Sequence, residues 1–299
     1  MKPADFIFFG RPILLIPVWT IYLHFLAVGS NVNSSIDLPA KLYGLAGLTL
    51  ITMGAYVLNQ VFDIETDRLN DKLCFLPRGI ISIRAAWIYY AMLTVGGLLI
   101  LLLFARASVI PSILIVLLGV SYSAPGLRLK DQPVAGLFAN AVTFGFLVPA
   151  CAAPDAVYGT LGRAAIPYLL AVTAVFILTT IPDMAGDAAT SKRTISVVLG
   201  PRQALWLALA AAILTAWTAF FSGNHEVGAV AVMTAALVAY LLISYNPRVI
   251  LFAGKAPIVL LTLMAAYHFP AYLVLLVLTI VLTRVYYKNR FGIIYPRLS

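Results

Sequence analysis

Residues 40–71 read AKLYGLAGLTLITMGAYVLNQVFDIETDRLND, an apolar run that ends in a cluster of acidic and amide side chains. The apolar part, residues 40–62, is long enough to cross a bilayer as a helix, since a span takes about 20 residues. The polar part spaces Asn59, Asp63 and Asp67 four residues apart. Positions four apart in a helix differ by about 40° around its axis, so these side chains are expected on one face. The stretch therefore predicts a membrane-spanning helix with carboxylates at one end.

The whole chain shares this apolar character. Of its 299 residues, 62% are hydrophobic and 10% are charged, whereas a soluble globular protein carries roughly 25% charged residues. This composition excludes a cytosolic enzyme, a disordered chain and a disulfide-stapled secreted domain. The apolar runs predict spans near residues 13–30, 40–62, 85–105, 107–124, 133–152, 164–183, 203–222 and 226–245.

The stretch 249–287 is ambiguous. It allows either two spans divided at His268 and Pro270, or a surface loop through Ala256 followed by one long helix. No soluble domain or long linker interrupts the pattern, so one domain over residues 1–299 is expected. The predicted fold is all-α, a polytopic transmembrane helical bundle of about nine spans.

The distribution of basic residues predicts the orientation of the chain. The formal net charge is +9, from 20 Lys and Arg against 11 Asp and Glu. Most of the basic residues lie at the N-terminus and in alternate loops, near residues 63–84, 125–132, 184–202 and 246–256. The positive-inside rule places these segments in the cytoplasm, and the cell membrane is the expected location. The same rule accounts for the positive charge without a nucleic-acid partner. The basic C-terminal tail favours an even number of spans.

A second acidic stretch repeats the spacing of the first. Asp183 and Asp187 follow the sixth predicted span, 120 residues after Asp63 and Asp67, and Thr179 stands where the first stretch has Asn59. Each pair could simply solvate a helix end. Two pairs with equal spacing, in register and on one membrane side, favour a shared function instead.

Carboxylates without histidine or thiolate partners are hard oxygen ligands suited to Mg²⁺. An ionised carboxylate near the headgroups costs at least a few kcal/mol unless positive charge compensates it. Two facing acidic helices could therefore hold a diphosphate through Mg²⁺. The three histidines are scattered along the sequence and predict no metal cluster. Basic residues on the same side that would neutralise phosphate charge are Arg78, Arg128, Lys130, Lys192 and Arg193.

These motifs resemble those of the UbiA superfamily of intramembrane prenyltransferases. The family's first acidic motif, N-x-x-x-D-x-x-x-D, matches Asn59, Asp63 and Asp67. Its second motif, D-x-x-x-D followed by a basic residue and a threonine, matches Asp183, Asp187, Lys192 and Thr194.

Two further segments extend the resemblance over nearly the whole chain. Residues 121–130, SYSAPGLRLK, are similar to the family's loop after the fourth span, and Arg11-Pro12 is similar to its N-terminal signature. The chain departs from the pattern at position 126, which is Gly where many members have Lys. The arginine of the family's N-K-P-x-R-P run is missing or displaced to Arg78.

The resemblance implies transfer of a prenyl group from an isoprenoid diphosphate to a hydrophobic acceptor within a membrane. The fold it implies is a bundle around a central cavity that opens near the cytoplasmic face. It assigns Mg²⁺ and diphosphate to Asp63, Asp67, Asp183 and Asp187, with Asn59 beside them. It also implies diphosphate or acceptor contacts for Arg11, Lys72, Tyr122, Arg128, Lys130, Lys192 and Arg193.

Several alternatives stay open at this point. Asn140, in the fifth span, could orient a substrate or form a hydrogen bond between helices. The acceptor could be an aromatic quinone precursor or a prenylglyceryl phosphate lipid. A cation-coupled transporter is a competing function, because paired intramembrane carboxylates also mark ion sites. A CDP-alcohol phosphotransferase ranks third, since its D-x-x-D-G-x-x-A-R run is absent.

Overall fold

The computed structural model describes residues 2–28, 38–69, 75–153 and 158–296. These residues form helices and connecting turns, with no strand among them. The helices are α1 (Pro3–Phe9), α2 (Ile16–Val28), α3 (Leu38–Phe62), α4 (Ile64–Leu69), α5 (Ile83–Phe104), α6 (Val109–Ser123), α7 (Pro133–Val142), α8 (Val148–Ala152), α9 (Tyr158–Thr180), α10 (Met184–Ala189), α11 (Ile195–Leu199), α12 (Pro201–Phe221), α13 (His225–Ile243), α14 (Pro247–His268) and α15 (Pro270–Phe291). A π-helical turn over Thr143–Leu147 joins α7 to α8.

In the part of the chain that the structure describes, ten helical segments are long and apolar enough to cross a membrane. The predicted all-α polytopic bundle is therefore confirmed, with ten spans rather than about nine. The segments are Pro3–Val28, Leu38–Phe62, Ile83–Phe104, Arg106–Ser123, Pro133–Ala152, Gly159–Thr180, Pro201–Phe221, His225–Ile243, Pro247–His268 and Pro270–Phe291.

The ambiguous stretch 249–287 forms two helices. The structure ends α14 at His268 and starts α15 at Pro270. Proline fits the first position of a helix because its missing N–H would have no intrahelical partner there. The alternative of a surface loop through Ala256 is wrong, because that residue is buried inside α14.

The two ends of the chain meet at one end of the bundle, as an even number of spans requires. Asp5 is fully buried, and its carboxylate accepts hydrogen bonds from the Tyr286 hydroxyl at 2.7 Å and from Arg290 Nε at 3.1 Å. Phe8 stacks on the Tyr286 ring, with centroids 3.9 Å apart. These contacts join α1 to α15.

Small residues let the spans approach closely. Gly47 in α3 faces Gly97 in α5, where an added Cβ at Gly97 would lie 2.7 Å from the Gly47 carbonyl oxygen. A Cβ at Gly145, in the π-helical turn, would overlap the backbone of Leu169 in α9. In a membrane, where lipid is as apolar as the helices, such close packing is a main source of helix association.

Each acidic stretch follows a long helix and contains a short one. Asp63 interrupts the run from α3 to α4, yet Asp63 N donates to Asn59 O at 3.0 Å and Asp67 N donates to Asp63 O at 2.7 Å. The predicted helical spacing of Asn59, Asp63 and Asp67 is thus retained. In the second stretch α9 ends at Thr180, and Asp183 caps the short helix α10. The intervening Pro182 lacks the N–H that a continuous helix would use.

Candidate active site

A cavity of about 520 Å³ lies between the spans and is lined mainly by apolar side chains. Its lining includes four residues singled out in the sequence, namely Arg11, Asn59, Tyr122 and Asn140. Each lies in the half of its span that adjoins the basic loops. The cavity therefore has a polar end on the side where the sequence predicts the charged groups.

Asp63 forms a buried ion pair beside this polar end. Its carboxylate contacts the ammonium group of Lys130, and the two side chains are 11% and 6% exposed. Burial lowers the pKa of Lys130 below its ordinary value, and the hydrogen bond and negative charge of Asp63 offset this only in part. A buried carboxylate needs such a partner, because an unpaired buried charge is strongly destabilising.

Arg128 adds a second cation at the same carboxylate. Its Nη2 lies 3.9 Å from Asp63 Oδ1, and its Nε lies 2.8 Å from Asp131 Oδ2. Arg128 and Lys130 both belong to the loop between α6 and α7, so the loop that follows the fourth span closes over the end of α3. The two cations, Arg128 and Lys130, thus lie beside two carboxylates, Asp63 and Asp131.

Backbone strain is concentrated at this end of the bundle. Within the described ranges, the non-glycine residues with positive φ are Arg11 (52°), Arg128 (39°) and Ser191 (59°). Side chains rarely adopt this left-handed region, and it persists only where the surrounding structure imposes it. Two of the three, Arg11 and Arg128, are basic residues of the candidate site.

The second acidic stretch lies beside the same loop. Arg193 N donates to Asp131 O at 3.1 Å, which joins the segment after α10 to the loop after α6. The charge of Lys192 acts on Lys130, and Asp63 and Asp187 both act electrostatically on Tyr122. The two stretches predicted to face each other are thus brought together around Tyr122 and Lys130.

The four aspartates differ in exposure. Asp63 and Asp67 are buried, with 8% and 5% of their surface exposed, whereas Asp187 is half-buried and Asp183 is exposed. The first pair therefore lies inside the bundle and the second at its rim.

Asn59 and Asn140 each make identifiable contacts. Asn59 Nδ2 donates to Ser123 Oγ at 3.3 Å, which joins α3 to α6. Asn140 Nδ2 donates to Gly136 O at 2.9 Å within α7, and its side chain is hydrogen-bonded to Tyr122. Because both asparagines also line the cavity, the helix contact and the substrate-orienting role considered for Asn140 are compatible.

Not every basic residue from the sequence analysis joins the cluster. Arg78 and Arg193 are exposed. Of the described basic candidates Arg11 lines the cavity, and the others, including Arg128 and Lys130, do not. Lys192 is half-buried. Lys72 lies outside the described residues.

Three polar residues of this end were not singled out as site residues. Ser123 accepts a hydrogen bond from Asn59, Asp131 forms an ion pair with Arg128, and Thr179 of α9 lines the cavity. Signals for all three existed in the sequence. Ser123 and Asp131 lie in or next to the loop segment 121–130, and Thr179 occupies the repeat position of Asn59.

The aspartate carboxylates at the polar end of the bundle are suitable ligands for a hard divalent cation. Within the described ranges, no three His, Cys, Asp or Glu side chains form a ready-made metal cage. Mg²⁺ is usually bound through one or two carboxylates, with waters and substrate phosphates as the remaining ligands, so a closed protein cage is not required. Thr194 Oγ1, beside the second stretch, is buried without a hydrogen-bond partner. The arrangement can hold a phosphate anion at the charged end and an apolar chain in the cavity.

Curated proteins of similar sequence include two archaeal enzymes. The chain is 36% identical over 168 residues to a digeranylgeranylglyceryl phosphate synthase of Methanoculleus marisnigri, which covers 55% of this chain and 59% of that protein. It is 32% identical over 183 residues to the enzyme of the same name from Halobacterium salinarum, covering 58% and 62%. The chain thus spans about three fifths of the length of these relatives.

A solved structure of similar fold is that of a UbiA homologue from Archaeoglobus fulgidus bound to GPP and Mg²⁺. It aligns with a TM-score of 0.68 at 18% sequence identity, covering 88% of this chain and 98% of that one. At this identity the likeness concerns the fold. It agrees with the helical bundle described above.

The model of the UbiA prenyltransferase family matches residues 14–249. That range contains both acidic stretches, the loop after α6 and most of the cavity lining. A match over most of the chain identifies the family directly. The protein is a multi-pass integral membrane protein that belongs to the UbiA prenyltransferase family.

Proposed function

We propose that this protein is an enzyme that transfers a prenyl group from an isoprenoid diphosphate to a hydrophobic acceptor. The observation that carries the proposal is an apolar cavity lined at its polar end by Asn59, one helical turn before Asp63. Asp63 in turn lies in a charged cluster with Lys130 and Arg128. The curated relatives named as digeranylgeranylglyceryl phosphate synthases support it. So does the solved homologue bound to GPP and Mg²⁺.

Asp63, Asp67, Asp183 and Asp187 are the residues that would hold Mg²⁺ and, through it, the diphosphate. When bound, Mg²⁺ would stabilise the negative charge that grows on the departing diphosphate. We assign Asn59 to the same end, because it lines the cavity and lies one helical turn before Asp63. The further candidates for substrate contacts are Arg11, Lys72, Arg78, Tyr122, Arg128, Lys130, Asn140, Lys192 and Arg193.

The reaction breaks the bond between the allylic carbon and the diphosphate oxygen, and the diphosphate leaves with the electron pair. The basic side chains, above all Lys130 and Arg128, stabilise that charge where it develops. A bond then forms between the allylic carbon and the acceptor, which releases a proton. The apolar lining keeps water away from the allylic cation, which water would otherwise capture.

Of the two acceptor classes, the relatives favour a prenylglyceryl phosphate lipid over an aromatic quinone precursor. A product screen tests the function and this choice together. Purified protein with Mg²⁺ is mixed with prenyl diphosphates and with either a geranylgeranylglyceryl phosphate or a hydroxylated aromatic acid, and products are identified by mass spectrometry. We expect a diether phosphate lipid product. Absence of any prenylated product over the full panel would contradict the proposed reaction.

We propose that residues 1–299 form one domain. The family match ends at residue 249, but the later helices α14 and α15 are integrated into the bundle. Tyr272 of α15 donates a hydrogen bond to Ile16 O at 3.0 Å and shares one with Thr20 at 2.9 Å. These contacts close the bundle between its first and last spans.

We further propose that the protein lies in the cell membrane with the polar end of its cavity facing the cytoplasm, because the basic loops lie at that end.

Labelling of single introduced cysteines tests this orientation. In a Cys74→Ser background, Ala189→Cys marks the proposed cytoplasmic end and Ser222→Cys the opposite end, and both positions are exposed. Ser222→Cys should react with an impermeant maleimide in intact cells, and Ala189→Cys only after lysis. The reverse pattern would overturn the orientation.

The transporter alternative gains no support. The paired aspartates lie at one end of the bundle beside cationic side chains, whereas transporter ion sites lie near the midplane. Both the family and the named relatives are prenyltransferases.

A further inference from the structure

The cavity follows helix α9 from its polar end into the bundle. Thr179 lines it beside the candidate diphosphate site, and Tyr168 lines it farthest along the same helix. Eleven residues of helix separate the two, which corresponds to about 16 Å along the axis. On the facing helix α13, the deepest lining residue is Val227, near the helix start. Tyr168 and Val227 therefore mark the far end of the cavity.

Tyr168 is held there by buried polar groups. Its hydroxyl shares a 2.7 Å hydrogen bond with His24 Nδ1 and accepts one from Asn224 Nδ2 at 3.1 Å. Tyr168 is 2% exposed, His24 is 0% exposed and Asn224 is 8% exposed. Phe25 packs edge-on against the Tyr168 ring, with centroids 5.4 Å apart. Since buried polar groups are costly to leave unpaired, these bonds oppose any rotation of the ring out of the cavity.

Glu226 and His268 hold the His24 ring in position. Glu226 accepts from His24 Nε2 at 3.0 Å through one oxygen and pairs with His268 Nε2 at 2.8 Å through the other. If His24 Nε2 carries the proton, Nδ1 is free to accept the Tyr168 hydroxyl, and every member of the network is satisfied. The network joins α2, α9, α13 and α14. It lies at the end of the bundle opposite the aspartates and has no part in the chemistry proposed above.

The backbone of α9 is also fixed at this level. Gly145 approaches the backbone of Leu169 so closely that a Cβ there would overlap it. The adjacent Thr143 and Phe144, in the same π-helical turn, line the cavity. Helix α9 therefore has no room to move toward the π-helical turn beside Tyr168.

We propose that Tyr168 forms a rigid floor that sets the longest prenyl chain the cavity accepts, with His24 and Asn224 as positioning residues. This proposal rests on the proposed function, because it takes the diphosphate to bind at the polar end. Tyr168 is thus a specificity-determining residue, about 16 Å along α9 from Thr179, which lines the cavity beside the candidate diphosphate site.

The depth of the cavity indicates where the limit lies. Carbon–carbon single bonds are about 1.5 Å long, so an extended farnesyl chain measures about 15 Å and a geranylgeranyl chain about 20 Å. The candidate diphosphate site lies about one helical turn, roughly 5 Å, beyond Thr179. A geranylgeranyl chain therefore fits above Tyr168, and a chain one isoprene unit longer does not.

The test measures binding as well as turnover. Non-ionising thiolodiphosphates with geranyl, farnesyl, geranylgeranyl and geranylfarnesyl chains are titrated into the purified protein with Mg²⁺, and kcat/KM is measured with the matching diphosphates. For the wild-type protein we expect a loss of affinity of roughly tenfold or more from geranylgeranyl to geranylfarnesyl, since pockets discriminate by such factors.

Two variants move the floor in opposite directions. Tyr168→Ala should restore geranylfarnesyl binding to within about threefold of geranylgeranyl, because the ring is removed. Ala171→Leu places a larger side chain in the lining one turn above Tyr168 and should weaken binding of the geranylgeranyl analogue relative to the geranyl analogue by roughly tenfold.

Two further variants should leave the length limit unchanged. Tyr168→Phe keeps the ring and should keep the length limit while lowering thermal stability, because His24 and Asn224 lose a partner. Ile166→Ala, on the exposed side of the same helix, is the matched control and should change neither ratio.

The outcomes separate the two proposals. Equal binding of geranylgeranyl and geranylfarnesyl by the wild-type protein, or an unchanged limit in Ala171→Leu, would overturn the floor and leave the proposed function intact. A sharp length limit in binding without product from any diphosphate would overturn the function and retain the floor. If no analogue bound at all, both would fail. Because Ala171→Leu leaves the buried network in place, the floor stays testable even if Tyr168→Ala does not fold.

Discussion

Asp63→Ala is expected to lower prenyl-transfer turnover by roughly 10²–10³-fold or more, the range found when one preorganised charge-stabilising group is removed from an active site. The Asp63 carboxylate is the group that Lys130 and Arg128 both approach, at the end of the cavity where the diphosphate is proposed to bind. Its loss would remove a proposed Mg²⁺ ligand and also release the two cations from their positions. The measurement is kcat/KM with Mg²⁺, a prenyl diphosphate and the acceptor found in the product screen.

The same substitution also affects stability. Removing Asp63 leaves the Lys130 ammonium buried without its partner, and such a broken pair costs about 3–5 kcal/mol. Thermal unfolding must therefore be measured beside turnover.

Asp187→Ala separates the loss of activity from the loss of stability. Because Asp187 is only half-buried, this variant should lose activity with little loss of stability. Glu65→Gln, an exposed carboxylate on α4, is the matched control and should keep wild-type turnover. Near wild-type turnover in either aspartate variant would contradict the two-motif site.

Chelation of divalent cations by EDTA is expected to abolish turnover, and added Mg²⁺ should restore it. The physical reason is that four carboxylates and a diphosphate repel each other unless a cation lies between them. Hard oxygen ligands of this kind select Mg²⁺ over softer metals. The assay compares turnover before chelation, after chelation and after Mg²⁺ is added back.

A binding control accompanies the chelation experiment. The affinity for geranylgeranyl thiolodiphosphate should fall with EDTA, while thermal stability without ligand stays unchanged. Transfer that continues at full rate in EDTA would refute the diphosphate clamp.

Much of the membrane architecture could be predicted from local pattern. Apolar runs located the second to eighth spans within about five residues at each end, because the bilayer thickness imposes a minimum length on each helix. The first span begins earlier than predicted, at Pro3 rather than near residue 13, because α1 is itself apolar and the bend at Arg11 does not end the span. The division at Pro270 was one of two interpretations, and the structure decided it.

The arrangement of the acidic stretches could also be predicted from the sequence, because spacing along one helix is a local property. Asn59, Asp63 and Asp67 keep the helical spacing that their sequence positions predict. The second stretch deviates, because Pro182 ends α9 before Asp183 and places the pair on a short helix of its own. The equal spacing of the two acidic pairs could not reveal that the helix ends before the second pair, whereas helical hydrogen bonding continues through the first.

The sequence by itself determined that this chain is a membrane bundle with two acidic stretches at one face. It did so because hydropathy and helical spacing are local, and charges are few in an apolar chain. Only the tertiary structure decided that Lys130 meets Asp63, and that His24 meets Tyr168 and Glu226 from 144 and 202 residues away. Lipid-facing and core-facing surfaces of these helices are similarly apolar, so hydropathy does not encode which helices become neighbours. The packing of the helices therefore built both the charged end of the cavity and its floor.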